Sequence, residues 1–382
     1  MKGKVLSLVM AATLTAGLLA GCGGSGGETK APETEKTTQA AAPSTEAAED
    51  ESKASEQTEA KAETKTEETQ AQADGELEKV NVAFMPNYAS LWAVATADAK
   101  GYFAEEGLEV DMLMFQDGPT EIAAMESGSI DVAYIGPGAH TLAIQGNVDV
   151  FCFSQLGNAD SVVGLSSHGV NSLEDLKGKK VGYASGTSSE TILVRALNSV
   201  GLTMEDIDGY DMEISNMVSA MISGSLDACA PWSPNTMTIT EQLGEDAQIL
   251  CTNVSFAEEA ADCASWVCTP TYSEENRETL VKFTRALYKA MDFGSQEANY
   301  DEVAGYVAEK CGTDKESVLA QTSDGAWLDS ATLTKYAEDG TIEGYYKIQQ
   351  ENFLKNGKIT EEEGAVPVTD FVLFDIMTEA DK

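Results

Sequence analysis

Positive charge is scarce in this sequence. Its 382 residues include 24 lysines and arginines against 64 aspartates and glutamates, and the formal net charge at pH 7 is -40. Nucleic acid and anionic lipid surfaces are bound mainly through basic side chains that neutralise phosphate. The composition therefore argues against nucleic acid as a partner of this protein.

The sequence also lacks the short motifs of common catalytic and metal sites. Between residues 80 and 382 there is no Gly-x-Ser-x-Gly elbow, no His-Glu-x-x-His and no phosphate-binding P-loop. The chain has two histidines, His140 and His168, and none of its seven cysteines forms a Cys-x-x-Cys pair. We therefore expect no metal, no cofactor and no catalytic residue, which favours a binding protein over an enzyme.

Long apolar runs are missing apart from one at the start. Lys2 and Lys4 precede an uncharged, largely apolar run over residues 5–20, which ends in Leu19-Ala-Gly-Cys22. A short run with a basic head and a small-residue end is typical of an export signal, which we assign to residues 1–22. Its last four residues resemble the lipobox of bacterial lipoproteins, in which the cysteine receives lipid. This predicts a protein anchored by lipid at Cys22 to the extracytoplasmic face of the cell membrane, unless Cys22 merely follows an ordinary signal.

Aromatic residues are absent from the next stretch, residues 23–79. It consists mainly of Ala, Glu, Thr, Lys, Ser, Gln and Gly, and contains one leucine. Such a segment cannot bury enough apolar surface to offset the entropy of ordering. We predict a disordered acidic linker whose typical reach is on the order of 40 Å.

The six cysteines beyond Cys22 have two expected roles. Cys152 and Cys229 lie within apolar runs and are expected to be buried thiols. Export permits a disulfide among the other four. The spacing of Cys251, Cys263 and Cys268 allows a local bridge but does not assign one, and Cys311 lies further along the chain.

A repeated stretch organises the remaining chain. Residues 124–138 (AMESGSIDVAYIGPG) return 96 residues later as residues 220–234 (AMISGSLDACAPWSP). Each copy predicts a helix that ends at a glycine, a turn with an aspartate, a buried strand and a Gly/Pro-rich loop. Two copies favour two lobes, although this pattern is also a common helix-to-strand connector. About 300 residues is likewise more than one hydrophobic core usually serves.

Short apolar runs alternate with amphipathic segments through residue 269, a pattern typical of an α/β fold with a parallel sheet covered on both faces. After residue 269 the pattern is mainly helical. We predict two doubly wound lobes joined by two crossovers with a cleft between them, and a helical C-terminal segment packed on the first lobe. The predicted bounds are residues 80–166 for the first part of lobe 1, 167–263 for lobe 2 and 264–382 for the return to lobe 1.

The candidate ligand site lies at helix starts facing this cleft. Residues 185–190 follow a strand and open a helix, so backbone N–H groups at Gly186, Thr187 and Ser188 are free to bind a solute. Thr187 and Glu190 also fit a capping box, in which they only satisfy the helix end. The remaining candidates are Asn87, Tyr88, Trp92, Gly136, Pro137, His140 and Trp232. Trp92 fits a core position equally well.

The loops predicted at the cleft contain no lysine and no arginine. They contain Asp117, Glu121, Asp160 and Glu190, each of which also fits a solvated loop residue. An inorganic dianion held there lacks a counter-charge, so nitrate or sulfate is disfavoured. A taurine-like zwitterion or a neutral heterocycle between aromatic walls fits better.

These motifs together give the chain a family resemblance. Residues 92–95 followed by 100–110 (KGYFAEEGLEV), then 127–138, 173–182 (LEDLKGKKVG) with 185–189, and 230–234 (APWSP), taken in that order, resemble the solute-binding proteins of ABC importers. The similar group binds nitrate, sulfonate and taurine and shares its fold with thiamine-pyrimidine synthases. The resemblance implies a monomer that closes on a small organic solute, sulfonate- or taurine-like, and delivers it to the transmembrane permease.

Two other function classes remain open at this stage. The chain could bind a pyrimidine or another heterocyclic thiamine precursor, or be a related enzyme of the pyrimidine-synthase kind. The cysteine-rich signature of those enzymes is missing, and His140 alone is thin support for catalysis. The second alternative class is a surface adhesion or sensor lipoprotein.

Replacing Cys22 tests the anchor. Cys22→Ser should abolish metabolic labelling with radioactive palmitate and release the protein into the medium, because the thioether-linked lipid is lost. Fractionation and immunoblotting measure the release, with Cys311→Ser as the control that keeps the label. Retention of the Cys22→Ser protein at the membrane would show a different anchor.

Overall fold

The computed structural model describes residues 77–256 and 260–382. The predicted signal at 1–22, the lipid site Cys22 and nearly all of the predicted linker lie outside these residues. The linker was expected to extend to residue 79, but the first strand already begins at Glu78, where its backbone N–H donates to the Gly107 carbonyl. None of the helices in these two ranges combines the length and apolar character needed to span a membrane.

Strands and helices alternate through the first two thirds of the described chain. The strands are β1 (Glu78–Phe84), β2 (Leu108–Met114), β3 (Val132–Ile135), β4 (Asp149–Gly157), β5 (Ser161–Leu165), β6 (Lys180–Tyr183), β7 (Asp208–Asp211), β8 (Ala228–Cys229), β9 (Ala247–Thr252), β10 (Cys263–Cys268) and β11 (Gly325–Trp327). The α-helices are α1 (Tyr88–Leu91), α2 (Val94–Ala99), α3 (Tyr102–Glu105), α4 (Gly118–Glu126), α5 (His140–Ile144), α6 (Ser188–Ser199), α7 (Ile214–Ile222), α8 (Asn235–Leu243), α9 (Pro270–Glu275), α10 (Arg277–Gly294), α11 (Tyr300–Cys311), α12 (Lys315–Leu319), α13 (Ser330–Glu338), α14 (Thr341–Lys355) and α15 (Phe374–Ala380).

The strands form two sheets, one in each lobe. The first has the order β11-β4-β10-β3-β1-β2 and the second the order β7-β6-β8-β5-β9. The two-lobed α/β prediction is therefore confirmed. The sheets are mixed and not purely parallel as expected: β10 is antiparallel to β3 and β4, and β5 is antiparallel to β8 and β9. The reason is topological, because β5 and β10 are the strands that enter a sheet directly from a crossing between the lobes.

The first crossing comes earlier than predicted. Residues 161–165, which we assigned to lobe 1, form β5 and pair with β8 and β9 of the second sheet. The chain therefore leaves lobe 1 between Gly157 and Ser161, not at residue 166. It returns between Thr252 and Cys263, where β10 begins.

The sequence repeat corresponds to the same unit in both sheets. In one copy α4 ends before Gly128 and leads to β3, and in the other α7 ends before Gly224 and leads to β8; both glycines have positive φ, 77° and 70°. The repeated aspartates also act alike. Asp131 accepts a 2.7 Å hydrogen bond from the backbone N–H of Asn81 in β1, and Asp227 accepts one of 2.9 Å from that of Lys180 in β6. Each aspartate thus ties the repeat strand to the neighbouring parallel strand.

The C-terminal helices belong to lobe 1, as predicted. Phe283 of α10 is fully buried, and its ring contacts those of Phe103, Phe151 and Trp266, with centroids 4.8, 6.0 and 5.7 Å away. The sequence reading missed the edge strand β11 and the helices α12, α13 and α15. Three of these four elements are seven residues or shorter, so they show little periodicity.

Phe283→Ala should lower the free energy of unfolding by about 3–5 kcal/mol, because it opens a cavity between α10 and the first sheet. Ile348→Ala is the matched control in α14, since Ile348 is 41% exposed and should stay within about 0.5 kcal/mol of the parent. Denaturant titration measures both. An equal, small effect for the two variants would mean that the C-terminal helices do not share the core of lobe 1.

Candidate functional site

A cavity lies between the two lobes. It encloses about 590 Å³ of space not filled by atoms, which includes the open solvent at its mouth. Its walls come from the loops that follow β1, β2, β3, β6 and β8, from the first crossing, and from residues of β3, β4 and β10. The lining residues are Met85, Asn87, Ala89, Asp117, Gly118, Pro119, Tyr134, Gly136, Pro137, Ala139, Gln155, Gly157, Ala159, Asp160, Thr187, Ser188, Trp232, Ala264 and Asp324.

The lobes meet backbone to backbone beside this cavity. A Cβ added to Gly138 of lobe 1 would lie 2.1 Å from the carbonyl carbon of Thr187 and 2.6 Å from the nitrogen of Ser188 in lobe 2. Real Cβ atoms do not approach backbone atoms this closely. Only glycine at position 138 therefore permits this contact between the lobes.

The start of α6 is both capped and part of the cavity wall. The Thr187 hydroxyl accepts a 3.2 Å hydrogen bond from Ser189 N and donates one of 2.7 Å to the Ala184 carbonyl. Glu190 accepts a 2.9 Å bond from Gly186 N and pairs with Lys358. Gly186 and Glu190 thus serve the turn and are not among the residues that line the cavity. The predicted capping box is not formed, because Glu190 accepts from Gly186 and not from the N-cap residue Thr187, which caps α6 by accepting from Ser189 N. Thr187 and Ser188 also line the cavity.

Six of the eleven predicted ligand residues line the cavity. They are Asn87, Gly136, Pro137, Thr187, Ser188 and Trp232. Asn87 is also the cap of α1, where its Oδ1 accepts a 2.8 Å bond from Ser90 N. Trp232 is 8% exposed, and its backbone pairs with that of Asp160 across the first crossing.

Two predicted aromatic walls lie in the core instead. Tyr88 and Trp92 are fully buried and contact the Trp327 ring, with centroids 5.0 and 5.2 Å apart. Trp92 Nε1 donates to Ser154 Oγ at 3.4 Å. The helices α1 and α2 turn their large side chains away from the cleft because β11, which the sequence reading missed, supplies the surface that covers them.

His140 is also a core residue. It is 1% exposed, its Nε2 lies 2.8 Å from Ser265 Oγ, and that hydroxyl lies 2.6 Å from the hydroxyl of Tyr346. Burial lowers the pKa of His140 to about 4. The side chain is therefore neutral at physiological pH and turned away from any solute.

Tyr134, Gln155 and Asp324 line the cavity and were missed by the sequence reading. Gln155 Nε2 donates to the Tyr134 hydroxyl at 2.5 Å, and Gln155 Oε1 is buried without a hydrogen-bond partner. Tyr134 lies inside the repeated strand, which could have suggested it. Asp324 precedes the short strand β11 and gave no signal, because its place depends on the return of the chain to lobe 1.

Asp160 lies in the first crossing and is 4% exposed. Its Oδ2 accepts a 3.0 Å hydrogen bond from Asn253 Nδ2, and it interacts with the Ser188 hydroxyl. Burial raises the pKa of Asp160 to about 6, opposed by the Ser188 and Asn253 bonds and by Arg195. Arg195, however, is already engaged by Asp262 through two hydrogen bonds of 3.0 and 3.1 Å.

Asp324, next to β11 of lobe 1, lines the same cavity as Asp160 and interacts with it electrostatically. Burial, followed by the nearby Asp160 charge, raises the pKa of Asp324 to about 6, while the Ser233 hydroxyl lowers it. Glu121, deeper in lobe 1, is fully buried with both oxygens unpaired, and burial holds its pKa well above its usual range. The cavity is therefore rich in acceptors, and its lining contains no Lys, Arg or His.

Nucleophiles and metal ligands are poorly placed. The six described cysteines are all free thiols, so no bridge joins Cys251, Cys263 and Cys268. Burial raises the pKa of Cys152 and Cys229, which leaves them protonated. Within the two described ranges, no three His, Cys, Asp or Glu side chains are grouped closely enough to hold a metal ion.

Comparison with solved structures shows the fold of periplasmic binding proteins. The alkanesulfonate-binding protein SsuA of Xanthomonas axonopodis, bound to MOPS, matches 78% of this chain and 99% of its own at 18% identity and a TM-score of 0.61. The nitrate-binding protein NrtA of Synechocystis matches 80% and 88% at 14% identity and a TM-score of 0.64. One neighbour, the desulfurization enzyme DszB, is an enzyme; it has a TM-score of 0.56 and 14% identity.

Several sequence relatives are named as binding proteins. One from Brucella abortus (strain 2308) is 30% identical over 280 residues, which is 73% of this chain and 86% of the relative. An aliphatic sulfonates-binding protein of Bacillus subtilis (strain 168) is 28% identical over 61% of this chain and 71% of its own. The family model described as NMT1/THI5 like matches residues 89–298. By these matches, which cover more than half of the chain, the protein belongs to the NMT1/THI5-like family.

Proposed function

We propose that this protein is the extracytoplasmic solute-binding subunit of an ABC importer. It is a monomer held to the membrane by lipid on Cys22 and a linker, and it delivers a small organic solute to the permease. The observation that carries this proposal is the cavity between the lobes, whose walls come from both of them. Family membership supports it, since relatives include proteins named for binding aliphatic sulfonates and taurine.

Closure on the solute follows from the same geometry. A solute that contacts Asn87 and Gly136 on one side and Thr187 and Trp232 on the other joins the two lobes, so binding favours the closed form. The two crossings are the segments that must bend. Closure then presents a different surface to the permease, which couples binding to delivery.

A binding role is favoured over catalysis by the chemistry of the walls. The cavity lining contains no cysteine and no histidine, and His140 is a buried neutral core residue. A pyrimidine-synthase type of reaction therefore lacks its reactive side chains here. A binder of a pyrimidine or similar heterocycle remains compatible with Tyr134 and Trp232 as walls.

A thermal-shift panel of sulfonates, amino acids, pyrimidines and inorganic anions tests solute binding. A ligand at 100 times its dissociation constant should stabilise the protein by about 2.7 kcal/mol, and small-angle scattering should show a smaller radius of gyration in its presence. Bovine serum albumin in the same panel controls for nonspecific effects. Binding without compaction would contradict the inter-lobe site.

Gly138→Ala should prevent closure, because the new methyl group meets the backbone of Thr187 and Ser188. With the best-stabilising compound of the panel, its radius of gyration should stay at the open value and its affinity should fall about tenfold or more, equivalent to at least about 1.4 kcal/mol. Gly344→Ala in α14 is the control, since its added Cβ meets no atom within 4 Å and Gly344 does not line the cavity. Parent-like compaction of Gly138→Ala would mean that this contact does not define the closed form.

A further inference from the structure

We propose that the solute of this cleft carries a protonated amine and is an organic cation, bound between Asp160 and Asp324. This inference rests on the proposed function and adds the chemical class of the solute. It sets the chain apart from its neighbours named for sulfonate and nitrate, which are anions.

The acidic side chains at the cavity wall are not balanced by basic ones among the lining residues. Asp160 and Asp324 are close enough to affect each other electrostatically, and neither forms an ion pair with any described lysine or arginine. Their hydrogen-bond partners, Asn253, Ser188 and Ser233, are neutral. Two carboxylates that line one buried cavity without a bonded counter-charge are costly to hold there.

The basic side chain that acts on Asp160 is Arg195. Arg195 is 9% exposed at its side chain and binds Asp262 with both terminal nitrogens. Asp262 in turn accepts 2.8 Å from Asn253 Nδ2, which also donates to Asp160. The guanidinium is bonded to Asp262 and acts on Asp160 only through space, so no basic side chain bonds directly to Asp160 at the cavity wall.

Gln155 provides a further hydrogen-bond acceptor among the lining residues. Gln155 is fully buried, and its amide orientation is fixed because Nε2 donates to the Tyr134 hydroxyl and to the Ala89 carbonyl. Its Oε1 therefore stays without a partner. A buried carbonyl oxygen usually has a donor in folded proteins, and a donor group of the solute can supply it here. An ammonium group supplies the donors that Asp160, Asp324 and Gln155 lack.

The remaining walls fit an organic cation. Tyr134 and Trp232 line the cavity, and aromatic faces attract cations as well as apolar rings. Asp117 lines the mouth, where its side chain also caps α4 by accepting from Thr120 N at 2.9 Å. A sulfonate at this place would face several carboxylates with no basic side chain among the lining residues.

Fractionated yeast extract gives the direct test, because the natural solute need not be known. The extract is separated by ion exchange, treated with EDTA, and each fraction is added to the full-length protein in a thermal-shift and scattering assay. The cation-exchange-retained fraction should stabilise and compact the protein, and the anion-exchange-retained fraction should do neither. Chlorides of sodium, potassium, magnesium and calcium serve as separate controls.

Substitutions of Asp324 and Asp160 test whether these two side chains bind the solute. Asp324→Asn and Asp160→Asn should raise the apparent dissociation constant for the stabilising fraction about tenfold or more, as expected when one member of a buried charge pair is removed. Asp111→Asn, on the exposed face of β2, should behave like the parent. The melting temperature of the empty protein distinguishes a role in ligand binding from a structural role. A carboxylate that is retained for ligand binding destabilises the protein when no ligand is present.

The expected change in melting temperature follows from the linkage between protonation of Asp324 and folding. The raised pKa of Asp324 means that the folded state holds its proton between about pH 4 and pH 6, where the unfolded chain has released it, so this group's contribution to stability falls as pH rises through that window. Asp160 is the charged side chain that acts on Asp324 through space. Asp324→Asn should therefore raise the melting temperature of the empty protein at pH 7.5 and leave it unchanged at pH 4.

Each result of these experiments has a different consequence for the cation inference and for the importer proposal. Stabilisation and compaction by the anionic or uncharged fraction would overturn the cation inference and leave the importer proposal standing. Stabilisation by an inorganic chloride would overturn the organic part of the inference. Failure of every fraction to stabilise the protein, or stabilisation without compaction, would overturn the importer proposal and this inference with it. A lower melting temperature for Asp324→Asn at pH 7.5 would assign Asp324 a structural role.

Discussion

The ion pair between Arg195 and Asp262 fixes the second crossing to lobe 2, and the two-lobed arrangement depends on where the crossings lie. Arg195 extends from α6 of lobe 2 to Asp262, the last residue before β10 returns the chain to lobe 1. Asn253 links this pair to Asp160 in the other crossing. Removing one member of such a buried pair costs about 3–5 kcal/mol, because the other charge is left unpaired. The network thus holds the second crossing to the cavity wall.

The same network explains why the cavity is electrostatically negative. The buried arginine is engaged by Asp262, so Asp160 is left with neutral donors, and Asp324 of lobe 1 acts on it through space. Desolvation therefore raises the pKa of both carboxyl groups. The buried carboxyl groups lower stability at this cavity, which is common in functional sites.

Glycine determines how closely the lobes approach. Gly138, at the end of the first copy of the repeat, is the point where lobe 1 touches the start of α6. The repeat therefore does more than set two strands in two sheets: its loop in lobe 1 reaches the helix of lobe 2 that carries Thr187 and Ser188. The equivalent loop in lobe 2 contributes Trp232 to the same cavity.

The sequence by itself determined the two lobes, most strand and helix positions, and the loops after β1, β3, β6 and β8 as cavity walls, because hydrophobic periodicity and turn residues are local properties. It could not determine which aromatic side chains face the cleft. Tyr88 and Trp92 are buried because β11, from far along the chain, covers them. Nor could it find Asp324 or assign Arg195 to Asp262, since both depend on where the chain returns to lobe 1. Side-chain direction and charge pairing were decided by tertiary structure, because they depend on contacts between residues distant in sequence.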